Sequence, residues 1–442
     1  MSTEVKNFKR RDLKMHFGTI MRLMAILLGV ILLLVGFGGQ ILAASNVGED
    51  ILVGALYPLS GSQAPTGHDL RNGVELAVEI INGSYPDLNL ILAKEAGLPN
   101  LNGAKIKVIY GDHQASPEKG MSETERLYQE GAVAVVGCYN SGVTATASQV
   151  AERLQKPFVN PDSVSPSLIK KGFKWFFRLT PDDEMFTENM FKFLADLEKE
   201  RGEKITTLAI INENTLWGQD FAEIVLRLAK DKGYKVVEHI VYPAKSPEVM
   251  AEVQKIKKIN PDVILQASYV SDAVLFMKTF KEQDYIPKGI LANAAGFVDA
   301  AFTQILGKDS DFIITRSVWS EDLLDTKPVA RKVNEIFKAK YGVNMNENSA
   351  RSFMGMLVLA DSINRAGSTE PNAIREAILA TEIPAEQIIL AWDGIKFDPQ
   401  NGQNVLGRAI MVQIKDGKYN TIWPFNVAKE KLIWPFPAWS SR

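Results

Sequence analysis

The sequence predicts an α/β protein made of two parallel-sheet units, and three observations carry that prediction. Apolar β-type runs alternate with amphipathic helical stretches from residue 51 onward. The alternation restarts after a Phe176-Phe177-Arg178-Leu179-Thr180-Pro181 segment. A chain of 442 residues is also too long for one hydrophobic core, which makes two domains the expectation.

In the first unit, residues 51–57 read as a strand ended by the turn Pro58-Leu59-Ser60-Gly61. From Leu70, apolar residues recur at Val74, Ala77 and Ile81, with Leu76 and Ile80 widening the stripe. This is an amphipathic helix ending near Gly83. Residues 83–102 lack periodicity and read as a loop. A strand follows at 105–110, then a helix capped by Ser116-Pro117 and running through Glu130. The second unit reads as strands at 206–211, 235–240, 262–267 and 289–292, separated by helices at 221–232, 249–259 and 272–283. Helical patterns recur at 329–341 and 351–366, and strand-like runs return from 395 to 412 and beyond. Such alternation argues for right-handed βαβ units around parallel sheets. No internal repeat is evident.

The most informative stretch is 132–168. An apolar strand at 132–136 is stopped by Gly137 and runs into the polar tip Tyr139-Asn140-Ser141-Gly142. Val143, Ala147, Val150, Ala151 and Leu154 then follow at helical spacing. A short strand at 157–160 leads to a second tip, Asp162-Ser163-Val164, before Ser165-Pro166 opens another helix. In a parallel sheet both tips lie at carboxyl ends of neighbouring strands, where open α/β sheets bind small molecules. Ser141 and free backbone N–H groups at a helix start suit a carboxylate. The same serine also reads as an ordinary N-cap. No nucleophile with its base is visible there.

The N-terminus differs from the rest. Lys6, Lys9, Arg10, Arg11, Lys14 and Arg22 precede an uncharged run from Leu23 to Ala44 that ends in small residues. Residues 1–44 therefore read as an export signal cleaved near Ala44. The Arg10-Arg11 pair also fits a twin-arginine signal, and the run is long enough for an uncleaved anchor, although Gly36, Gly38 and Gly39 weaken a continuous helix. Loss of these residues removes six basic and two acidic side chains and takes the net charge from −2 to −6. A mildly acidic domain without a basic block gives no support to nucleic-acid binding. The single cysteine, Cys138, excludes an internal disulfide and is expected to be a small buried residue.

Enzyme readings find little support. No G-x-G-x-x-G follows the first strand and no G-x-x-x-x-G-K-[ST] occurs. Tyr139 stands where a nucleophile elbow needs its first glycine. His68, His113 and His239 are scattered singly, without metal-ligand spacing. No catalysis, cofactor or metal is expected.

Several spaced motifs resemble one known family. Residues 53–61, then Gly67, then Asn72-Gly73-Val74-Glu75-Leu76-Ala77 with Ile81-Asn82, are similar to the opening of the branched-chain amino-acid type of periplasmic substrate-binding proteins of ABC transporters. Asn102-Gly103, Asp112 with Ser116-Pro117, Glu125-Arg126-Leu127, Val135-Val136-Gly137 and Ser141 continue the likeness, which runs from about residue 51 to beyond Gly394. The resemblance implies a type I periplasmic-binding fold: two doubly wound lobes joined by three crossovers, with ligand in the cleft between them. Carried onto this chain, the crossings fall near 180–182, 316–319 and 398–406. Lobe one is then 50–181 with 320–397, and lobe two is 182–319 with 398–442.

The resemblance also implies a monomeric receptor that takes a small molecule (an amino acid, amide or organic acid) and docks on a membrane permease. It resides in the periplasm or outside the cell. An anchored ligand sensor of the same fold is the alternative, disfavoured because the sixteen residues before Phe17 are too few for a cytoplasmic output domain. Ser141 aligns with the serine that holds the ligand carboxylate, and Tyr139, Asn140 and Ser141 form that tip. Asp162-Ser163-Val164 aligns with the second binding turn, where Asp162 could take an ammonium or hydroxyl or close an Asx-turn. Trp217 sits where the family has an aromatic residue before glycine, and its neighbours Asn214-Thr215 and Gly218-Gln219 place it in a loop. Tyr269 on the second lobe and Thr66 on the first-lobe rim complete the set. Asn293 departs from the acidic residue that many amino-acid binders have there. Either Asp162 replaces that charge or the ligand is not an α-amino acid.

Overall fold

The computed structural model describes residues 48–442; the expected signal or anchor at 1–44 lies outside them. The first sheet contains β1 (Ile51–Tyr57), β2 (Ile106–Asp112), β3 (Val135–Gly137), β4 (Phe158–Asn160) and β5 (Phe176–Arg178), all parallel in the order β2-β1-β3-β4-β5. The second sheet contains β6 (Thr207–Glu213), β7 (Lys235–Tyr242), β8 (Val263–Ala267), β9 (Ile290–Ala292) and β10 (Ile314–Ser317). A small antiparallel ladder of β11 (Glu382–Pro384) and β12 (Gly394–Lys396) stands apart. β13 (Ile410–Lys415) and β14 (Lys418–Trp423) then join the second sheet antiparallel, giving the order β14-β13-β10-β9-β8-β6-β7. The fold is the α/β pair of sheets that the alternation predicts, doubly wound as the resemblance implies.

Helices α1 (Ala64–Asn82), α2 (Pro117–Gln129) and α3 (Ser141–Leu154) belong to the first sheet. Helices α4 (Asp183–Arg201), α5 (Leu216–Lys232), α6 (Met250–Ile259), α7 (Val270–Glu282) and α8 (Ala300–Leu306) belong to the second. After the one-turn α9 (Leu323–Thr326), the chain builds α10 (Pro328–Tyr341), α11 (Glu347–Ala366) and α12 (Pro371–Leu379). Among them α11 packs along α1. Both sheet faces are covered, which is why these strands are continuous apolar runs rather than alternating ones. Val53, Tyr57, Val136, Val159 and Phe177 pack toward the α1/α11 side, and Leu56, Val135, Phe158 and Phe176 toward α2/α3. Gly73 lets α1 and α11 approach: a Cβ there would lie 2.2 Å from the Ser349 carbonyl oxygen.

The chain passes between the sheets three times, after β5, after β10 and between β12 and β13. The first and third passages are fastened side by side. Arg178 Nε donates to Gln403 Oε1 at 2.6 Å, Gln403 Nε2 to the Thr180 carbonyl at 2.8 Å, and Asn404 Nδ2 to the Leu179 carbonyl at 3.0 Å.

Several boundaries differ from expectation for local reasons. The strand expected at 132–136 is Val135–Gly137, and Pro166–Lys171 forms a 3-10 turn rather than an α-helix. The stretch 83–102 is irregular but buries Leu88, Leu90, Ala93, Leu98 and Leu101. Helix α11 begins four residues before the expected start, because Asn346 caps it reciprocally with Ser349. Helix α5 begins at Leu216, with Thr215 as N-cap, its hydroxyl oxygen accepting from the Gly218 N–H. Trp217 is therefore in a helical first turn and only 2% exposed, not in a loop. Gly218 permits this, since a Cβ there would meet the Glu213 carbonyl oxygen at 2.1 Å.

Candidate ligand-binding site

Each sheet reverses its winding once, β1 against β3 in the first and β6 against β8 in the second. Loops leaving the carboxyl ends of strands part at such points and leave a crevice. In the first lobe the tip after β3 supplies Tyr139 and Ser141, and the turn after β4 supplies Asp162 and Val164. In the second lobe Trp217 follows β6, Tyr269 follows β8, and Ala295 follows β9. Arg316, at the end of β10, and Arg351, in α11, complete the ring around one inter-lobe cavity. The space left is about 20 Å³, room for roughly one water. A ligand of several heavy atoms enters only when the lobes part.

The aromatic groups form a continuous wall. The Tyr139 and Tyr269 ring centroids are 5.5 Å apart across the lobes, and those of Tyr269 and Trp217 are 4.9 Å apart. The Tyr269 hydroxyl faces the Asn140 amide and the Ser141 N–H, and thus stands at the start of α3.

Opposite lies a buried charge network. Arg316 stacks over the Phe186 ring with its Cζ 3.9 Å from the centroid. Its Nε donates to Asn293 Oδ1 at 2.9 Å and its Nη1 to Glu347 Oε1 at 3.1 Å. Asn293 Nδ2 donates in turn to Asp183 Oδ1 at 2.9 Å. Arg351 Nη1 donates to the Asp162 carbonyl at 3.0 Å, and its Nη2 lies 3.5 Å from Glu347 Oε1. Arg351 Nε is 3.5 Å from Asp162 Oδ1, within ion-pair distance but without a hydrogen bond. Both Asp162 carboxylate oxygens, Arg351 Nε and Trp217 Nε1 are consequently buried without hydrogen-bond partners among the described residues. Burial pushes the Asp162 carboxyl up to about 7, against the Arg351 charge and the adjacent Tyr57 hydroxyl. Asp183, equally enclosed, is also pushed up to about 7 by burial.

Of the sequence-derived candidates, Tyr139, Ser141, Asp162, Trp217 and Tyr269 meet around this cavity. The others do not line it. Ser163 is consumed within its own lobe, its Oγ 2.6 Å from Thr144 Oγ1 and donating to the Cys138 and Tyr139 carbonyls. Its N–H goes to Asn160 Oδ1, so the side chain closing that turn is Asn160, not Asp162. Asn140 Nδ2 donates to Gln63 Oε1 at 2.9 Å. Thr66 donates to Asp299 across the lobes. Asn293 is held between Arg316 and Asp183. Ser141 caps no N–H of its own helix; its Oγ accepts weakly from Ser165 N at 3.4 Å.

Sequence reasoning missed Arg316 and Arg351. Their signal was present: each is a lone cation at the edge of, or inside, an apolar run, Ile313-Ile314-Thr315-Arg316 and Arg351-Ser352-Phe353-Met354. A second inter-lobe cavity, about 360 Å³, adjoins beyond the Arg316–Glu347 pair and is lined in part by Asp69, Trp319, Phe337, Glu347 and Tyr419.

Residues 50–418 match the family described as periplasmic binding protein. The Leu/Ile/Val-binding protein homolog 7 of Brucella abortus (strain 2308) is 27% identical over 399 residues, covering 89% of this chain and 96% of the relative. Among solved structures, the branched-chain amino acid transporter substrate binding protein LivJ from Streptococcus pneumoniae, in complex with isoleucine, aligns with a TM-score of 0.69 at 20% identity, over 84% of this chain and 97% of that one. The solute binding protein of an R. palustris ABC transporter, in complex with benzoate, aligns with a TM-score of 0.69 at 18% identity, over 84% and 95%.

Proposed function

The chain belongs to the periplasmic binding protein family, in its branched-chain amino-acid type, and from that premise we propose that it is the extracytoplasmic solute-binding component of an ABC transporter. It traps a small molecule between its lobes, as a monomer and without catalysis, and delivers it to a membrane permease. In this reading the lobes are 50–181 with 320–397 and 182–319 with 398–442.

One observation carries this reading. The cavity takes its two walls from opposite lobes and leaves Asp162, Arg351 and Trp217 with polar atoms that are buried and unanswered. Groups of this kind cost about 1–3 kcal/mol each when nothing bonds to them, and a bound solute answers them while holding the lobes together. In this reading Ser141, Tyr139 and Asp162 grip from the first lobe, and Trp217 and Tyr269 cover from the second. Asn140, Ser163, Thr66 and Asn293 shape the site from behind it. The named ligands of the two solved relatives, isoleucine and benzoate, support an amino acid or an organic acid as the solute class. A tryptophan-fluorescence titration with leucine, valine, short amides and aromatic acids tests the proposal. A saturable change with one of them is expected, and its loss in Trp217→Leu would assign it to this cleft. No response to any probe would remove the reading.

The uncharged run Leu23–Ala44 favours a second reading, a ligand-binding domain held to the membrane by that segment. N-terminal sequencing of the exported protein separates the two: a chain beginning near residue 45 is the free receptor, and one retaining Met1 is the anchored form.

A further inference from the structure

The charge around the cavity is one-sided. Three charged side chains line it, and two of them are arginines. Both guanidiniums are immobilised from behind: Arg316 by Phe186, Asn293 and Glu347, Arg351 by the Asp162 carbonyl and Glu347. Each keeps one nitrogen without a hydrogen bond among the described residues: Arg351 Nε, which stands at ion-pair distance from Asp162, and Arg316 Nη2. One rigidly held N–H group from each of two neighbouring guanidiniums fits a carboxylate, and little side-chain entropy remains to be lost.

An α-ammonium fares badly in the same place. The carboxylate with open oxygens is Asp162, and a cation set against it would lie beside Arg351, whose Nε is only 3.5 Å away. Behind the cavity, Asn293 supplies no charge and instead fixes the Arg316 fork. The start of α3, the other natural seat for a carboxylate, is faced by the Tyr269 hydroxyl. That leaves Arg316 Nη2 and Arg351 Nε as the open anion site.

We propose that the solute is a carboxylate anion lacking an α-ammonium, received by Arg316 Nη2 and Arg351 Nε with its apolar body against Tyr139, Tyr269 and Trp217. The inference rests on the reading of this cleft as the ligand site. Asp162 opposes the bound anion when ionised and donates to it when protonated, and its carboxyl titrates at about 7.

Calorimetric titration of the full-length chain in mild detergent tests this with two matched sets: 4-methylpentanoate, 4-methylpentanamide and leucine; benzoate, benzamide and phenylglycine. In at least one set the acid should bind about tenfold or more tighter than both its amide and its amino acid. An amide or amino acid that equals or beats the acid in every set that binds would overturn the anion assignment while leaving the cleft reading intact. A flat response to all six would remove both. The variant Asp162→Asn removes the opposing charge and leaves the arginine frame in place, so the acid-to-amide affinity ratio at pH 8 should rise severalfold. If the arginines only brace the lobes, the ratio does not move, and the proposal fails on that result as well.

Discussion

Two cavities lie between the lobes, and they differ in the opposite sense to their size. The larger, about 360 Å³, is lined by polar groups that already have partners: Asn346 Nδ2 donates to Asp69 at 2.6 Å, Ser317 Oγ to Glu347 Oε2 at 2.6 Å, and Asn334 Nδ2 to Asn344 at 3.1 Å. None of the buried unpartnered atoms belongs to its lining. The smaller, about 20 Å³, has four such atoms on three of its side chains. Empty volume between lobes is what imperfect packing of two bodies leaves behind. Buried donors and acceptors with nothing to bond are costly, and in the proposed reading they mark where the solute belongs.

The Arg316–Glu347 pair divides the two cavities, and breaking it should have the largest effect. Arg316→Met leaves Glu347 buried with much of its charge uncompensated, a change that costs about 3–5 kcal/mol. Thermal denaturation should show a fall of many degrees. A fall of a degree or two would mean that water reaches Glu347 through the larger cavity, and that the two spaces are one.

Protonation sharpens the contrast next. Asp162 titrates at about 7 in the folded chain against 3.8 when exposed. A raised carboxyl pKa means that the folded state holds the proton more tightly. The cost of its charge is absent below about pH 4, grows between pH 4 and 7, and is full above that. Asp162→Asn should therefore gain stability relative to wild type at pH 8 compared with pH 5, by about 2–3 kcal/mol in the difference. A difference that is flat or reversed with pH would show that Arg351 already neutralises the charge.

How far these side chains were legible in the sequence follows from what each depends on. The strand–tip–helix pattern around Tyr139-Asn140-Ser141 is local, since Gly137 and the spacing of Val143, Ala147 and Val150 suffice to write it. Ser163 and Asn140 stood in the right tips, yet their side chains turn inward to Thr144 and Gln63, a choice set by tertiary neighbours. Trp217 was sought in a loop because the Thr215 cap was passed over, although a threonine three residues before an amphipathic run is itself a helix-start signal. Arg316 and Arg351 come from a crossover and from a helix far along the chain. Only the docking of α11 against the first lobe brings them to the same space, and no local pattern encodes that.

Binding separates the cavities directly. Trp217→Leu removes the unpartnered indole N–H and part of the aromatic wall, and affinity for whichever probe binds should fall by about tenfold or more, near 1.4 kcal/mol. Asn346→Ala, at the larger cavity, removes the cap of α11 and the bond to Asp69. It should cost about 1 kcal/mol of stability and leave affinity nearly untouched, as read by denaturant unfolding and by titration of the same sample.

The smallest expected effect is the most telling. Val343 is half exposed on the rim of the larger cavity, so Val343→Trp can fill that space without displacing a core side chain. If the smaller cavity alone holds the solute, affinity stays within about twofold, because nothing that touches the ligand has moved. A loss of tenfold would mean that the solute extends past Arg316 and Glu347 into the larger space. The pair between the cavities would then be a contact along the ligand rather than a wall at its end.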